Sequence, residues 1–169
     1  MKVYAIFRGL YGSDFATHAI ESVLPFVDKA ILVWGIVPFA GVTEWTHKGK
    51  VYKFPERFDD LPEKVAAMDD PRVHVVNYHS PNPRNQWTEI VNDIVIPQFG
   101  RPDIAILGHV PHVWREDALR ANLEEFETSR YLCANTWQIE TWRVLDWRLP
   151  ERHRAGVGFW NLRDAHTMP

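Results

Sequence analysis

The sequence has little cysteine and lacks any long apolar run. Cys133 is the single cysteine among 169 residues, so no disulfide can form within one chain, a pattern typical of a reducing compartment. The first apolar run, residues 3–7, is too short for the core of a signal peptide and ends at Arg8. No run approaches the roughly 20 apolar residues that a membrane-spanning helix needs. We therefore expect a cytoplasmic protein without a membrane span.

A strong excess of charge of either sign is also lacking. The formal net charge is −3, so binding to nucleic acid would require a local basic patch. With 46% apolar and 24% charged residues, the composition is that of a folded globular protein, which excludes a disordered chain. Tryptophan, by contrast, is abundant. The eight tryptophans suit core positions, and their flat rings also suit stacking on a sugar or a base.

Apolar runs alternate with helical patterns along the chain. Residues 30–34 form a continuous apolar run, as in strands buried on both faces, and residues 3–7 and 104–107 are similar runs. Residues 73–78 (VHVVNY) predict a further strand. Between these runs apolar residues recur at helical spacing, which indicates successive βα units. Residues 131–149 alternate in polarity and predict two antiparallel strands. The predicted fold is an α/β, mainly parallel Rossmann-like sheet with helices on both faces and a small antiparallel C-terminal part.

The predicted sheet also locates a candidate site. Ligands of such sheets bind beyond the carboxyl ends of the strands. That edge would carry residues 8–14 after the first strand, Trp34 at the end of the second, the loop before Asn85, and residues 108–114 after the fourth. We expect these segments to lie close together.

Several segments resemble GT-A nucleotide-sugar glycosyltransferases. Residues 22–33 (SVLPFVDKAILV) resemble the passage from the first helix to the second strand in that family. Arg84 and Asn85, followed by a helix and then by residues 103–107 (DIAIL), resemble its Arg-Asn helix and its fourth strand. The similarity lies in the order and spacing of elements over roughly residues 1–130.

The resemblance implies a fold, a donor and a set of donor-binding residues. It implies one GT-A-like domain over residues 1–169, with residues 1–114 as the nucleotide-binding half and residues 115–169 as a short acceptor-side part. The implied donor is a nucleoside diphosphate sugar, whose phosphates suit guanidinium groups. The implied donor-binding residues are Arg8, Gly9, Trp34, Arg84, Asn85 and His109.

One family motif is missing from the sequence. Where the family carries an Asp-x-Asp motif that holds a divalent metal, residues 109–112 are His-Val-Pro-His. In one hypothesis His109 and His112 bind a metal themselves, and imidazole suits zinc or another transition metal better than magnesium. In a second, no metal is used and cationic side chains, such as those of residues 143–154, stabilise the leaving diphosphate. In a third, the fold is kept but the transfer chemistry is lost.

Catalysis would also need a base for the acceptor hydroxyl. Asp146 and His153 are the candidate catalytic residues in the acceptor region. The predicted function is transfer of a sugar from a nucleoside diphosphate sugar to a hydroxyl acceptor on a glycan, a protein or a modified nucleic acid. Two alternatives stay open: a non-catalytic GT-A-like binding or assembly protein, and a DNA-modifying glycosyltransferase. An oligomer is compatible with the sequence.

Overall fold

The computed structural model describes residues 1–9, 12–34, 44–53, 59–78, 86–110, 112–128, 133–141 and 148–163. The elements follow the alternating order that the sequence predicts. In chain order they are β1 (Val3–Gly9), α1 (Ser13–Val23), a 3₁₀ turn (Leu24–Phe26), β2 (Lys29–Trp34), β3 (Glu44–His47), β4 (Lys50–Lys53), α2 (Leu61–Ala66), β5 (Val73–Asn77), α3 (Gln86–Glu89), a π-helical segment (Ile90–Val95), α4 (Ile96–Phe99), β6 (Ile104–His109), α5 (Glu116–Thr128), β7 (Cys133–Thr141) and β8 (Arg148–Asn161).

Six of these strands form one sheet in the order β5-β2-β1-β6-β8-β7. β1 lies between β2 and β6, and it is parallel to both. β5 is parallel to β2 and completes the parallel part. This arrangement confirms the predicted mainly parallel, Rossmann-like sheet, and it brings the carboxyl ends of four strands to one edge.

The antiparallel C-terminal part is confirmed, although its second strand lies later in the sequence than expected. β7 pairs with β8, and β8 pairs antiparallel with β6. β8 extends to Asn161, well beyond the predicted end at residue 149. The extension is stabilised by Phe159, which is buried and packs edge-on against Trp114. Burial of an aromatic side chain of this size stabilises a fold by about 1.5–3 kcal/mol.

Helices cover both faces of the sheet and create two apolar cores. On one face α1, α2 and α5 pack on the alternate strand residues that include Ala5, Phe7 and Leu32. On the other face the helical segment from α3 to α4 packs on residues that include Tyr4 and Ile6. This division shows which side each residue of a buried strand faces, because side chains alternate along a strand.

Two prolines explain local irregularities in the helices. α1 ends at Val23, and a 3₁₀ turn with Pro25 in its first turn follows. Pro97 lies near the start of α4, directly after the π-helical segment. Proline cannot donate a backbone hydrogen bond and clashes with the carbonyl four residues before it, so a wider π turn accommodates it.

β3 and β4 form a separate two-stranded hairpin. Its turn is Lys48-Gly49, and both residues have positive φ angles, 49° and 79°. Positive φ at both central residues is the geometry of the hairpin turn that matches strand twist. Within the described parts of the chain, no helix is both long and apolar enough to cross a membrane.

Candidate functional site at the carboxyl edge of the sheet

The parallel sheet brings several predicted site residues together at one edge. Arg8 and Gly9 end β1, Trp34 ends β2 and His109 ends β6. In the strand register Arg8 is the partner of His109, and Gly9 is the partner of Trp34. The expected convergence of the first, second and fourth strand ends is therefore present in the fold.

Arg8 and His109 are in direct contact on the face that α3 covers. The Nε–H of Arg8 donates to Nδ1 of His109 at 3.3 Å, and Nη2 of Arg8 lies 3.4 Å from Nε2 of the same ring. The guanidinium carbon also lies 4.5 Å from the centre of the Trp87 ring, a cation–π distance. Trp87 and His109 are themselves neighbours, with ring centres 5.8 Å apart. We call Arg8, Trp87 and His109 the Arg8 cluster.

The turn after β6 fixes the orientation of both histidines. The backbone N–H of His112 donates to the carbonyl oxygen of His109 at 2.9 Å. In return, the backbone N–H of His109 donates to Nδ1 of His112 at 3.1 Å. The two rings meet edge to face with their centres 5.3 Å apart. Because Nδ1 of His112 accepts this hydrogen bond, a neutral His112 ring carries its hydrogen on Nε2.

Burial and charge keep both histidines neutral at neutral pH. Burial, and then the positive charge of Arg8, lower the pKa of His109 from 6.5 to about 4, and His112 adds to this effect. Burial also lowers the pKa of His112. The pKa of Arg8 is lowered by burial too, but an arginine remains charged at any pH near neutrality. The positive charge of the Arg8 cluster therefore resides on the guanidinium.

This geometry does not suit a metal site built from His109 and His112. A metal ligand must offer an unprotonated nitrogen, yet both ring nitrogens of His109 face the Arg8 guanidinium and Nδ1 of His112 accepts from the backbone. A cation bound at His109 would also be repelled by Arg8. Among the residues that the structure describes, no group of three or more His, Cys, Asp or Glu side chains could hold a metal ion.

Tight packing accounts for the glycines beside Arg8. A Cβ atom added to Gly9 would lie 2.4 Å from Cγ2 of Val110, which is closer than real Cβ contacts allow. Gly12 has a φ of 120°, and an added Cβ would lie 3.2 Å from Cγ1 of Val110. Both positions thus need glycine for packing or backbone conformation. Contact between Gly9 and a donor stays a prediction.

Asp59 is a site-forming residue that the sequence does not reveal. Its Oδ2 accepts hydrogen bonds from the backbone N–H groups of Gly12, at 2.6 Å, and of Ser13, at 3.2 Å. Its Oδ1 accepts from the N–H of Leu61 at 3.3 Å. A carboxylate of the chain itself thus satisfies the amino end of α1, where phosphates bind in many nucleotide-binding folds. No local pattern indicates this contact, since Asp59 is 47 residues from Gly12.

Trp34 and the Arg8 cluster lie on opposite faces of the sheet. Trp34 packs against the core beneath α1, α2 and α5, whereas Trp87 packs against the core beneath α3 and α4. Trp87 is a site residue that the sequence analysis missed, because no local pattern indicates its contact with Arg8. Within the donor set, the structure brings Arg8 and His109 into contact and leaves Trp34 on the other face.

The structure describes the remaining predicted site residues only in part or not at all. Arg84, Asn85 and Asp146 lie outside the described residues. For His153 the structure describes only the backbone, which pairs with Gln138 of β7. The basic segment of residues 143–154, which one hypothesis assigns to stabilising the diphosphate, falls partly outside the described residues in the same way. These assignments stay predictions.

Comparison with known proteins identifies a fold but no family. No protein-family model matches the chain, and no curated protein matches it. Among solved structures, the chain is similar to 4-diphosphocytidyl-2C-methyl-D-erythritol synthase, with a TM-score of 0.51 and 10% sequence identity over 96% of this chain and 75% of that one. At this identity the similarity shows the fold alone. The chain therefore has a GT-A-like, Rossmann-like α/β fold.

Proposed function

We propose that the protein is a glycosyltransferase that moves a sugar from a nucleoside diphosphate sugar to a hydroxyl acceptor. The observation that carries this proposal is the position of Arg8, a partly buried cation at the carboxyl edge of a GT-A-like sheet. Sheets of this kind bind ligands at that edge, and guanidinium groups bind phosphate oxygens through charge-assisted hydrogen bonds. The similar synthase, by its name, makes a diphosphocytidyl compound, which agrees with a diphosphate ligand.

The reaction would break the bond between the sugar's anomeric carbon and the diphosphate oxygen. That oxygen keeps the electron pair, and the leaving nucleoside diphosphate gains negative charge. The acceptor oxygen forms the new bond to the anomeric carbon and loses its proton to a base. Arg8 would stabilise the charge on the leaving group, an effect that is strong in a site with restricted water. Asp146 and His153 remain the candidate bases, and Trp34, Arg84 and Asn85 remain candidate donor contacts.

A panel of nucleoside diphosphate sugars tests the proposal. CDP-, UDP-, GDP- and ADP-linked sugars are each added to the protein, and both the melting temperature and the release of nucleoside diphosphate are measured. A ligand that binds only the folded state raises the melting temperature in proportion to the logarithm of its concentration over its Kd. We expect at least one sugar nucleotide to stabilise the protein and to be turned over. No stabilisation by any of them at millimolar concentration would refute the proposal.

A second candidate function is a non-catalytic GT-A-like binding protein. It is favoured by the turn after β6, where His109 and His112 bond to each other's backbone at the position that the resemblance assigns to metal-binding acids. A protein of this class would bind a nucleotide at the same edge without breaking the sugar-phosphate bond. Stabilisation by a sugar nucleotide with no detectable release of nucleoside diphosphate, in any acceptor mixture tried, would support this second function over the first.

A further inference from the structure

We propose that the Arg8 guanidinium takes the place of a divalent metal at this site, so that the protein binds a diphosphate group without a metal ion. This inference rests on the proposed function, because it names the group that recognises the donor. It also goes beyond that function, because glycosyl transfer in a GT-A-like fold could equally use a metal.

The first support is the position of the cation. Arg8 is the register partner of His109, the residue at which the resemblance places the first acid of the metal-binding motif. Its Nε atom lies 3.3 Å from Nδ1 of that histidine. A positive charge thus already lies within hydrogen-bonding distance of the side chain at the position that the resemblance assigns to the first metal-binding acid. A second cation bound there would be repelled.

The second support is the rigidity of the guanidinium. Arg8 is held between the Trp87 ring, at 4.5 Å, and the two ring nitrogens of His109. A side chain already held in one orientation loses little conformational freedom when a ligand arrives, so more of the interaction appears as affinity. Guanidinium also presents its donors in a planar fork that fits phosphate oxygens, which a lysine ammonium does not.

The third support concerns the amino end of α1, which among the described residues is another feature of this edge that could attract an anion. The amino end of α1 would attract an anion, but Asp59 accepts hydrogen bonds from both Gly12 and Ser13 there. A diphosphate approaching this edge would therefore be repelled from the helix end by a carboxylate and attracted toward Arg8. Among the described residues, these two charges favour binding of the anion on the α3 face over binding at the amino end of α1.

The chain offers a matched control at the opposite end of the sheet. Lys29 begins β2, and its Nζ lies 3.3 Å from Nε2 of His74 and 5.8 Å from the centre of the Phe99 ring. The His74 and Phe99 rings are 4.8 Å apart. We call Lys29, His74 and Phe99 the Lys29 cluster. It contains the same three kinds of group as the Arg8 cluster, but it lies at the amino edge, where a parallel sheet does not bind its ligands.

The test uses inorganic pyrophosphate as a probe that has the diphosphate but neither base nor sugar. Its affinity is measured by calorimetry for the wild-type protein in EDTA and again with excess magnesium or manganese. It is then measured in EDTA for Arg8→Gln, Arg8→Lys and Lys29→Gln. We expect binding in EDTA that metal does not strengthen, a loss of about tenfold or more in Arg8→Gln, an intermediate loss in Arg8→Lys, and wild-type affinity in Lys29→Gln.

Several results would overturn the inference. Binding that requires magnesium or manganese would do so, as would no binding under either condition, or equal losses in Arg8→Gln and Lys29→Gln. If Arg8→Gln does not fold, as judged by its melting curve, the metal dependence of the wild-type protein and the affinity of Arg8→Lys still decide the question.

The two proposals can fail separately. Pyrophosphate binding without turnover of any sugar nucleotide refutes glycosyl transfer alone, whereas turnover that stops in EDTA refutes the role of Arg8 alone.

Discussion

The Arg8 and Lys29 clusters have the same ingredients and lie at opposite ends of one sheet. Each places a cation 3.3 Å from a histidine nitrogen and beside an aromatic ring. Both lie beneath the same helical segment, with Trp87 near its start and Phe99 at its end. The difference is that the Arg8 cluster lies where four parallel strands end. A cation, a histidine and an aromatic ring do not by themselves make a site, and their place on the sheet decides what they can do.

The environments of the two histidines also differ. His109 is more strongly affected, with its pKa lowered to about 4 by burial and by Arg8. The pKa of His74 is lowered as well, by burial and then by Lys29. His112, which is hydrogen-bonded to the backbone of His109 in the turn after β6, accounts for part of this contrast because it also lowers the pKa of His109.

The largest expected difference between the two clusters is in catalysis. If the protein transfers sugars, Arg8→Gln should lower kcat/KM by about 10²–10³-fold, the usual effect of removing one group that stabilises transition-state charge. Lys29→Gln should leave kcat/KM unchanged. Steady-state release of nucleoside diphosphate from the sugar nucleotide found in the panel provides the measurement. Equal losses in the two variants would remove the functional distinction between the edges.

The next effect concerns the close packing at Gly9, the residue after Arg8. Gly9→Ala would place a Cβ 2.4 Å from Cγ2 of Val110 and should lower the free energy of unfolding by about 1–3 kcal/mol. Urea denaturation measures this change. In a double-mutant cycle, Val110→Ala should make Gly9→Ala less costly, because the atom that clashes is gone. An identical cost in both backgrounds would show that the clash is not the cause.

A third prediction compares how His109 and His74 contribute to the pH dependence of stability. The folded-state pKa of His109 is about 4, below its ordinary value of 6.5, so the unfolded chain binds more protons as the pH falls between these values. Stability should therefore decrease from pH 6.5 to about 4, and His109→Gln should reduce that decrease. Chemical denaturation at several pH values tests it. His74→Gln should have a smaller effect in the same direction, and a slope unaltered by His109→Gln would contradict the prediction.

The smallest expected effect is that of the aromatic rings. Trp87→Leu keeps an apolar side chain but removes the ring beneath Arg8, and it should weaken pyrophosphate binding by about two- to fivefold. Phe99→Leu, the equivalent change in the Lys29 cluster, should not alter binding. Calorimetry with both variants measures the difference. A larger loss in Phe99→Leu than in Trp87→Leu would contradict the assignment of the site to the Arg8 end.

Much of the fold was predictable because its signals are local. The continuous apolar runs around Ile31 and Ile106 predict buried strands, and the structure confirms them. The face that each residue occupies was not predictable. Both faces of β2 are apolar, so the order of polar and apolar residues does not show which face each residue occupies. The sequence therefore cannot predict that Trp34 lies on the face opposite Arg8. The late extent of β8 was missed because Phe159 is buried against residues distant in sequence, Trp114 and Phe126 among them.

The sequence alone determined the parallel sheet, its carboxyl edge and the presence of Arg8 and His109 on that edge. It did so because strand periodicity and strand ends are properties of a few neighbouring residues. Only the tertiary structure decided that Arg8 meets a histidine 101 residues away, that Trp87 lies against it, and that Asp59 satisfies the amino end of α1. Contacts of that kind depend on how distant segments pack together, and no local pattern records them.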